Sequence, residues 1–165
     1  MRKRSSYRPK GVRLDVVNWV VAGLKPLRSI KEEHLLLVTK NHAAMVELAQ
    51  GRGNRDQLDI IIAALNMAEA LYRVRAALGK DWQEEIRAAQ DALLTMTQRG
   101  VERGDRFVFT GLELQAVNVA LEIHDAQLDQ CTVAELESAI DIVRKEIHSK
   151  RARLIERKEV APCGS

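Results

Sequence analysis

The chain has 165 residues, of which 46% are hydrophobic but only 4% aromatic, and its formal net charge is +3. A chain of this length suits one domain that buries roughly 70% of its unfolded surface, so its core needs neither a metal nor a disulfide. The apolar residues are mainly Leu, Ile, Val and Ala, which indicates packed helices and excludes a chain that is disordered throughout.

The first 13 residues are predicted to form a flexible basic arm. This segment contains six basic side chains and no acidic one, and Pro9 and Gly11 interrupt it without any apolar periodicity. The helical domain is expected to begin directly after the arm. Asp15 would cap a short first helix, and the inner side of that helix would carry Val16, Val17, Val20, Val21 and Leu24.

Residues 35–39 form a short, uniformly apolar run that fits a buried strand as well as a buried turn of helix, and the extended form is favoured. Its natural partner would be the run 107–109, which gives at most a two-stranded clip. Asn41 is predicted to cap the following helix, and Gly51 and Gly53 to end it. The inner side of this helix would carry Ala44, Met45 and Leu48.

The most apolar continuous segment, residues 58–72, is predicted to be the central helix. Asn54 or Asp56 would start it, and it would run to about Leu78 before Gly79 stops it. A helix this apolar must be covered by neighbours on most sides. Its inner face repeats every three or four residues and comprises Leu58, Ile61, Leu65, Ala68 and Tyr72.

The next helix is predicted to begin at Asp81, because Asp81 and Glu84 resemble a capping box with Asp in place of Ser or Thr. Gly100 and Gly104 are expected to mark its end. One face of the helix would be apolar and would pack into the core. That face comprises Trp82, Ile86, Ala89, Leu93 and Met96.

Two full capping boxes predict two further helix starts. One is formed by Thr110 with Glu113, and the other by Thr132 with Glu135. The helix that follows the first box is expected to alternate an apolar face with a polar one. Its apolar face would comprise Leu114, Val117, Leu121, His124 and Leu128.

The last helix is predicted to span residues 133–158 and to overhang the bundle, because Lys150 and Arg151 interrupt its apolar row. The overhang could pair with a second chain or stay single, which leaves the oligomeric state open. Residues 14–159 would thus form one helical domain, followed by a loose tail at 160–165. The apolar row comprises Val133, Leu136, Ile140, Val143 and Ile147.

Two parts of the chain have similar sequence patterns. Residues 85–91 resemble residues 135–141, so the helical hairpins 55–100 and 111–150 look like copies that could pack as a pseudo-symmetric four-helix core. Helical patterns also resemble each other by chance, so duplication and coincidence both remain open. The predicted fold class is all-α, a bundle of about five helices.

The charge is strongly segregated along the chain. Residues 1–13 carry +6 and residues 144–159 carry +4, so the rest of the chain carries −7. Basic ends of this kind predict contacts with the phosphates of DNA or RNA. A solvated tail, or an arm folded back on the acidic body, explains the pattern equally well. The predicted nucleic-acid-binding residues are Arg2, Lys3, Arg4, Tyr7, Arg8, Lys10, Arg13, Lys150, Arg151 and Arg153.

An acidic row on one helix offers an alternative function. Glu122, Asp125 and Asp129 share a face of the predicted helix after Thr110. Acidic faces of small helical proteins can bind basic grooves of other proteins, so this row predicts a protein-binding modulator or inhibitor of another protein. The simpler interpretation is a solvated face, because charged rows on amphipathic helices normally face water.

Enzymatic chemistry is not predicted. Di-iron bundles need a Glu-x-x-His spacing, whereas His124 and His148 each follow a glutamate by only two residues. No nucleophile or phosphate-binding loop is recognisable, so neither a metal nor another cofactor is expected. His124 is predicted to be a core histidine bonded to Asn66 or Tyr72. Cys131 and Cys163 form no CxxC motif.

Four stretches, residues 4–10, 40–45, 64–71 and 124–129, resemble small helical proteins of tailed phages and prophages of proteobacteria. That group offers no activity to transfer to particular residues. The resemblance implies a phage accessory protein that binds a host or phage macromolecule. Because no stretch reaches the ~20 apolar residues of a membrane span and no signal-peptide core follows the basic start, we expect it in the cytoplasm of the bacterial host, away from membranes.

Overall fold

The computed structural model describes residues 23–149, and every structural statement below refers to that part of the chain. Within it the fold is all-helical, with five α-helices, three short 3₁₀ turns and one isolated β-bridge but no β-strand. The bundle class predicted from the sequence is therefore confirmed. The α-helices are α1 (Lys31–Ala49), α2 (Arg55–Val74), α3 (Gln83–Glu102), α4 (Gly111–Gln130) and α5 (Val133–His148).

Helix α2 is the centre of the fold and packs against all four other helices. Asn54 caps it in a capping box with Gln57, as one of the two predicted starts required. The helix ends at Val74, earlier than predicted, and a 3₁₀ turn at Ala76–Leu78 follows. All five residues of its predicted inner face are buried, namely Leu58, Ile61, Leu65, Ala68 and Tyr72.

The larger of the two main apolar clusters, called the main core, lies where α1, α2, α3 and α4 meet. Phe107 enters it from the loop between α3 and α4 and is only 1% exposed. Gly100 permits this entry, because a Cβ atom there would lie 2.4 Å from the Phe107 ring. The best-buried members of this core include Leu48, Ile61, Leu65, Ala89, Met96, Val117 and Leu121.

A smaller cluster, called the second core, lies against the C-terminal part of α2, at Ala70 and Leu71. It also contains Leu27, Leu78, Leu128, Cys131 and Ala139, and partly buried apolar residues surround it. Helix α5 contributes only Ala139 as a buried residue. Its predicted apolar row is therefore half-open: Val133, Leu136, Ile140 and Val143 are partly buried, and Ile147 is 57% exposed.

Three local predictions are wrong. Residues 35–39 are helical rather than extended, because they continue one uninterrupted helix that places Val38 at the second core and Leu48 in the main core. Accordingly, no clip forms with 107–109, and Asn41 is a buried mid-helix residue instead of a cap. Helix α3 begins without a side-chain cap, after a 3₁₀ turn at Lys80–Trp82.

The two capping boxes before α4 and α5 are present as predicted. The two predicted hairpins, however, pack differently. Helices α2 and α3 lie against each other, whereas α5 leaves α4 and packs mainly on α2. The duplication therefore stays a prediction. The predicted overhang at 150–158, the first helix at 15–22 and the two ends, 1–13 and 160–165, lie outside the described residues.

Candidate functional site

The ten residues predicted to bind nucleic acid all lie outside residues 23–149. Their role in binding nucleic acid therefore stays a prediction. The residues concerned are Arg2, Lys3, Arg4, Tyr7, Arg8, Lys10, Arg13, Lys150, Arg151 and Arg153.

Three exposed cations lie near the start of the described residues. Lys25, Arg28 and Lys31 fall within seven residues, and we call them the N-terminal corner. None of them forms an ion pair with another described residue. The described part of the chain thus begins with a small group of cations on its surface.

The backbone of the N-terminal corner is held against the junction between α4 and α5. The Leu27 N–H donates to the Cys131 carbonyl oxygen at 2.9 Å, and the Val133 N–H donates to the Lys25 carbonyl oxygen at 3.1 Å. The Leu27 side chain is 3% exposed and belongs to the second core. The three cations thus project from a fixed segment of backbone.

The acidic row on α4 is divided by its contacts with α1. His42 Nε2 lies 2.6 Å from Asp125 Oδ2 in a hydrogen bond. His34 Nε2 lies 3.0 Å from Asp129 Oδ1, at ion-pair distance but without hydrogen-bond geometry. Glu122 is exposed and forms no ion pair with another described residue. Two of the three predicted protein-binding carboxylates therefore help to hold α1 on α4.

His124 is a core histidine, as its apolar position predicted, and is 3% exposed. Its Nδ1 lies 3.4 Å from Gln127 Oε1, so the partner is Gln127 rather than Asn66 or Tyr72. Asn66 instead accepts a hydrogen bond from Gln90 at 3.4 Å. Burial lowers the pKa of His124, which keeps its ring neutral near pH 7.

Gln127 is a structural residue that the sequence did not reveal. Its buried amide nitrogen donates to the Ala68 carbonyl oxygen at 3.0 Å and to the Leu78 carbonyl oxygen at 2.6 Å. It thereby ties the loop between α2 and α3 to α4. Gly79 in this loop has φ +141°, and a Cβ atom there would lie 2.8 Å from the Gln127 amide nitrogen. Only glycine fits that approach without strain.

An open cleft of about 320 Å³ lies between this loop and α4. We call it the Trp82 cleft, because Trp82 lines it and keeps 52% of its surface exposed. The sequence pattern predicted Trp82 to be a core residue, and this is wrong. Other lining residues are Ala77, Val119, Glu122, Ile123 and Ala126.

The remaining polar groups show no catalytic arrangement among residues 23–149. Burial raises the pKa of the Cys131 thiol to about 11, so the thiol is protonated and unreactive near pH 7. No group of three or more His, Cys, Asp or Glu residues in this range could hold a metal ion.

None of the helices within residues 23–149 combines the length and the apolar character needed to cross a membrane. Comparisons of the chain with protein-family models, with curated proteins and with solved structures gave no match. The site is therefore interpreted from its own geometry.

Proposed function

We propose that this protein is a non-enzymatic phage accessory protein that binds nucleic acid in the cytoplasm of its bacterial host. The basic arm, residues 1–13, and the N-terminal corner would follow one stretch of phosphate backbone. The basic residues of 150–158 would add a second contact. Lysine and arginine contacts with phosphates carry no sequence information, so the expected binding is sequence-independent and occurs with DNA or RNA.

The observation that carries this proposal is the cluster of three cations at the N-terminal corner, none of which forms an ion pair with another described residue. Residues 1–31 contain nine basic side chains and one acidic side chain, Asp15. Six arginines elsewhere in the described body each form an ion pair with a carboxylate. Cations that lack an internal partner remain available to an external polyanion.

Glu32 and Glu33 lie beside the corner but do not neutralise it by direct contact. Both are exposed in the first turn of α1, and neither forms an ion pair with another described residue. Carboxylates at this position stabilise a helix by interacting with the positive end of its dipole. They are expected to weaken phosphate binding slightly without preventing it.

The test measures fluorescence anisotropy of labelled single- and double-stranded DNA and RNA, titrated with the full chain at about 50 and 200 mM salt. One variant neutralises the corner with Lys25→Gln, Arg28→Gln and Lys31→Gln. A control variant removes the same charge from exposed sites elsewhere, with Lys40→Gln, Lys80→Gln and Arg103→Gln. A third variant changes the six basic residues of the arm to Gln.

The unchanged chain should bind at the lower salt and lose most of its affinity at the higher salt. Neutralising the corner or the arm should weaken binding at least ~10-fold, while the control variant should bind nearly as well as the unchanged chain. Absence of binding at low salt would refute the proposal. Equal losses in the corner and control variants would show that only net charge matters.

A second candidate function, protein binding through α4, is favoured by the Trp82 cleft. Asp125 is hydrogen-bonded to His42 of α1, and Asp129 lies beside His34 with 61% of its side chain exposed. Among the three carboxylates of the acidic row, Glu122 is the one that lines the Trp82 cleft. The predicted acidic contact is thereby narrowed to Glu122 and its apolar surroundings.

A further inference from the structure

Trp82 occupies an unusual position for a tryptophan. It is 52% exposed, although large aromatic side chains are normally mostly buried. Tryptophan is also among the residues that contribute most to binding at protein interfaces, because it offers a large rigid surface. An exposed tryptophan beside a cleft is therefore a candidate anchor for a partner.

The segment that carries Trp82 is held in place before any partner arrives. Gln127 donates to the Leu78 carbonyl oxygen at 2.6 Å, and the Arg75 guanidinium donates to the Gln130 carbonyl oxygen at 3.0 Å. These two bonds tie the loop between α2 and α3 to the C-terminal half of α4. A preorganised surface loses little conformational entropy on binding, which favours affinity.

The lining of the Trp82 cleft combines an aromatic ring, small apolar side chains and one carboxylate. Val119, Ile123 and Ala126 supply the apolar wall from α4. Among the described residues of the lining, Glu122 is the only ionisable one, and the lining contains no basic side chain. Its chemistry therefore complements a ligand that is both apolar and positively charged.

We infer that the Trp82 cleft binds an arginine or lysine side chain that a partner protein presents next to an apolar residue. This inference rests on the second candidate function and names the partner's chemistry. The guanidinium or ammonium group would lie against the Trp82 ring and pair with Glu122, because cations are attracted to aromatic faces and to carboxylates. Arginine should bind best, since its planar group can stack and form two hydrogen bonds at once.

The volume of the cleft limits what enters it. About 320 Å³ lies at the lower end of the range of small-ligand pockets, roughly 300–1,000 Å³. It suits one cationic side chain with an apolar neighbour and not a whole helix. The partner segment is thus a short basic and apolar stretch that lies across α4 and inserts one or two side chains.

Trp82 fluorescence reports the binding directly in a full-length Trp19→Phe background, where Trp82 is the single tryptophan. The probes are four capped synthetic peptides of alanine and leucine that differ only at two guest positions, which hold Arg, Lys, Gln or Glu. Each peptide is titrated against the background chain, against Glu122→Gln, and against the control Glu137→Gln, an exposed glutamate on α5.

The Arg and Lys peptides should change Trp82 emission in a saturable way. Their affinity should be at least ~10-fold higher than that of the Gln peptide, and the Glu peptide should not bind. Glu122→Gln should weaken binding of the Arg peptide about 10-fold and leave binding of the Gln peptide unchanged. Glu137→Gln should change the affinity of neither peptide. This pattern assigns the cation to Glu122, since a structural defect would affect all peptides alike.

Equal binding of the Arg and Gln peptides would overturn the inference and leave protein docking at the cleft intact. Failure of all four peptides would overturn both. A labelled oligonucleotide serves as a further probe. If it changes Trp82 emission and Glu122→Gln strengthens that change, the cleft belongs to the nucleic-acid surface and the inference is wrong.

Discussion

The arginines of the helical body and the cations of the N-terminal corner differ in what they contact. In the body, Arg73 with Glu146 and Arg75 with Glu135 join α2 to α5, and four further arginines also pair with carboxylates. At the corner, Lys25, Arg28 and Lys31 project without a carboxylate partner among the described residues. Paired arginines such as Arg73 and Arg75 contribute to tertiary structure, whereas the corner leaves its charge accessible to another molecule.

The first and largest expected effect is on binding at the corner. Reversing its charge with Lys25→Glu, Arg28→Glu and Lys31→Glu should weaken nucleic-acid binding on the order of 100-fold at low salt, because phosphate contacts become repulsive. The thermal midpoint should stay nearly unchanged, since exposed unpaired side chains contribute little to stability. Anisotropy titrations and thermal unfolding of the same samples check both. A large loss of stability would show that these cations have partners inside the fold.

The second effect concerns stability in the body, at Arg99 and Glu113. The two guanidinium hydrogen bonds, at 2.6 and 2.9 Å, lower the pKa of Glu113 to about 2. Because the folded-state pKa lies below the ordinary value of 4.5, the stabilisation is present above pH 4.5 and is lost as the pH falls towards 2. Glu113→Gln keeps the capping-box acceptor for Thr110 but loses the charge, and it should cost about 1–2 kcal/mol.

Urea unfolding between pH 2 and 7 measures this effect. The difference in unfolding free energy between the unchanged chain and Glu113→Gln should be constant above about pH 5 and should shrink towards zero near pH 2. A difference that does not depend on pH would mean that the ion pair with Arg99 contributes nothing.

The third effect is smaller and lies at the junction of α2 with α4 and α5. Arg75→Met removes a hydrogen bond to the Gln130 carbonyl oxygen and an ion pair with Glu135 at 3.1 Å. Both partners are partly solvated, so the expected loss of stability is about 1 kcal/mol. Urea unfolding at pH 7 measures this loss of stability. An anisotropy titration of the folded variant should show nucleic-acid binding equal to that of the unchanged chain. Weakened binding by a fully folded variant would place Arg75 in the binding surface.

The smallest effect is expected at Arg52. Its side chain is 59% exposed and that of its partner Glu47 is 42% exposed. Exposed pairs of this kind contribute little, so Arg52→Gln should cost the least stability of these substitutions. Chemical unfolding in low and high salt measures the cost. If Arg52→Gln lost as much stability as Glu113→Gln, the proposed ranking of the arginine ion pairs by their contribution to stability would be wrong.

Local patterns in the sequence were sufficient to predict much of the fold. A capping box is made by residues three positions apart, so Thr110 with Glu113 and Thr132 with Glu135 could be read directly. The inner face of α2 was also predictable, because a helix surrounded by neighbours buries every residue at core spacing. The prediction at 35–39 was wrong because four apolar residues followed by a threonine fit a strand as well as a turn of helix.

The features that position the candidate sites depend on contacts between distant residues. The His42–Asp125 hydrogen bond joins residues 83 positions apart, and no local pattern encodes it. Helical spacing placed Trp82 on the apolar face of α3. The helix in fact begins one residue later, at Gln83, and the Trp82 side chain stays 52% exposed. Gln127 is polar and lies on α4, so its role in fixing the loop at Leu78 was not predictable.

The salt dependence of nucleic-acid binding tests the central claim most directly. The slope of log K against log salt concentration counts the phosphate contacts, at about 0.9 per contact on double-stranded DNA. Neutralising Lys25, Arg28 and Lys31 should reduce the slope by about 2 to 3, whereas the control Lys40→Gln, Lys80→Gln and Arg103→Gln should keep the slope of the unchanged chain. An unchanged slope in the corner variant would contradict the assignment of this surface to nucleic acid.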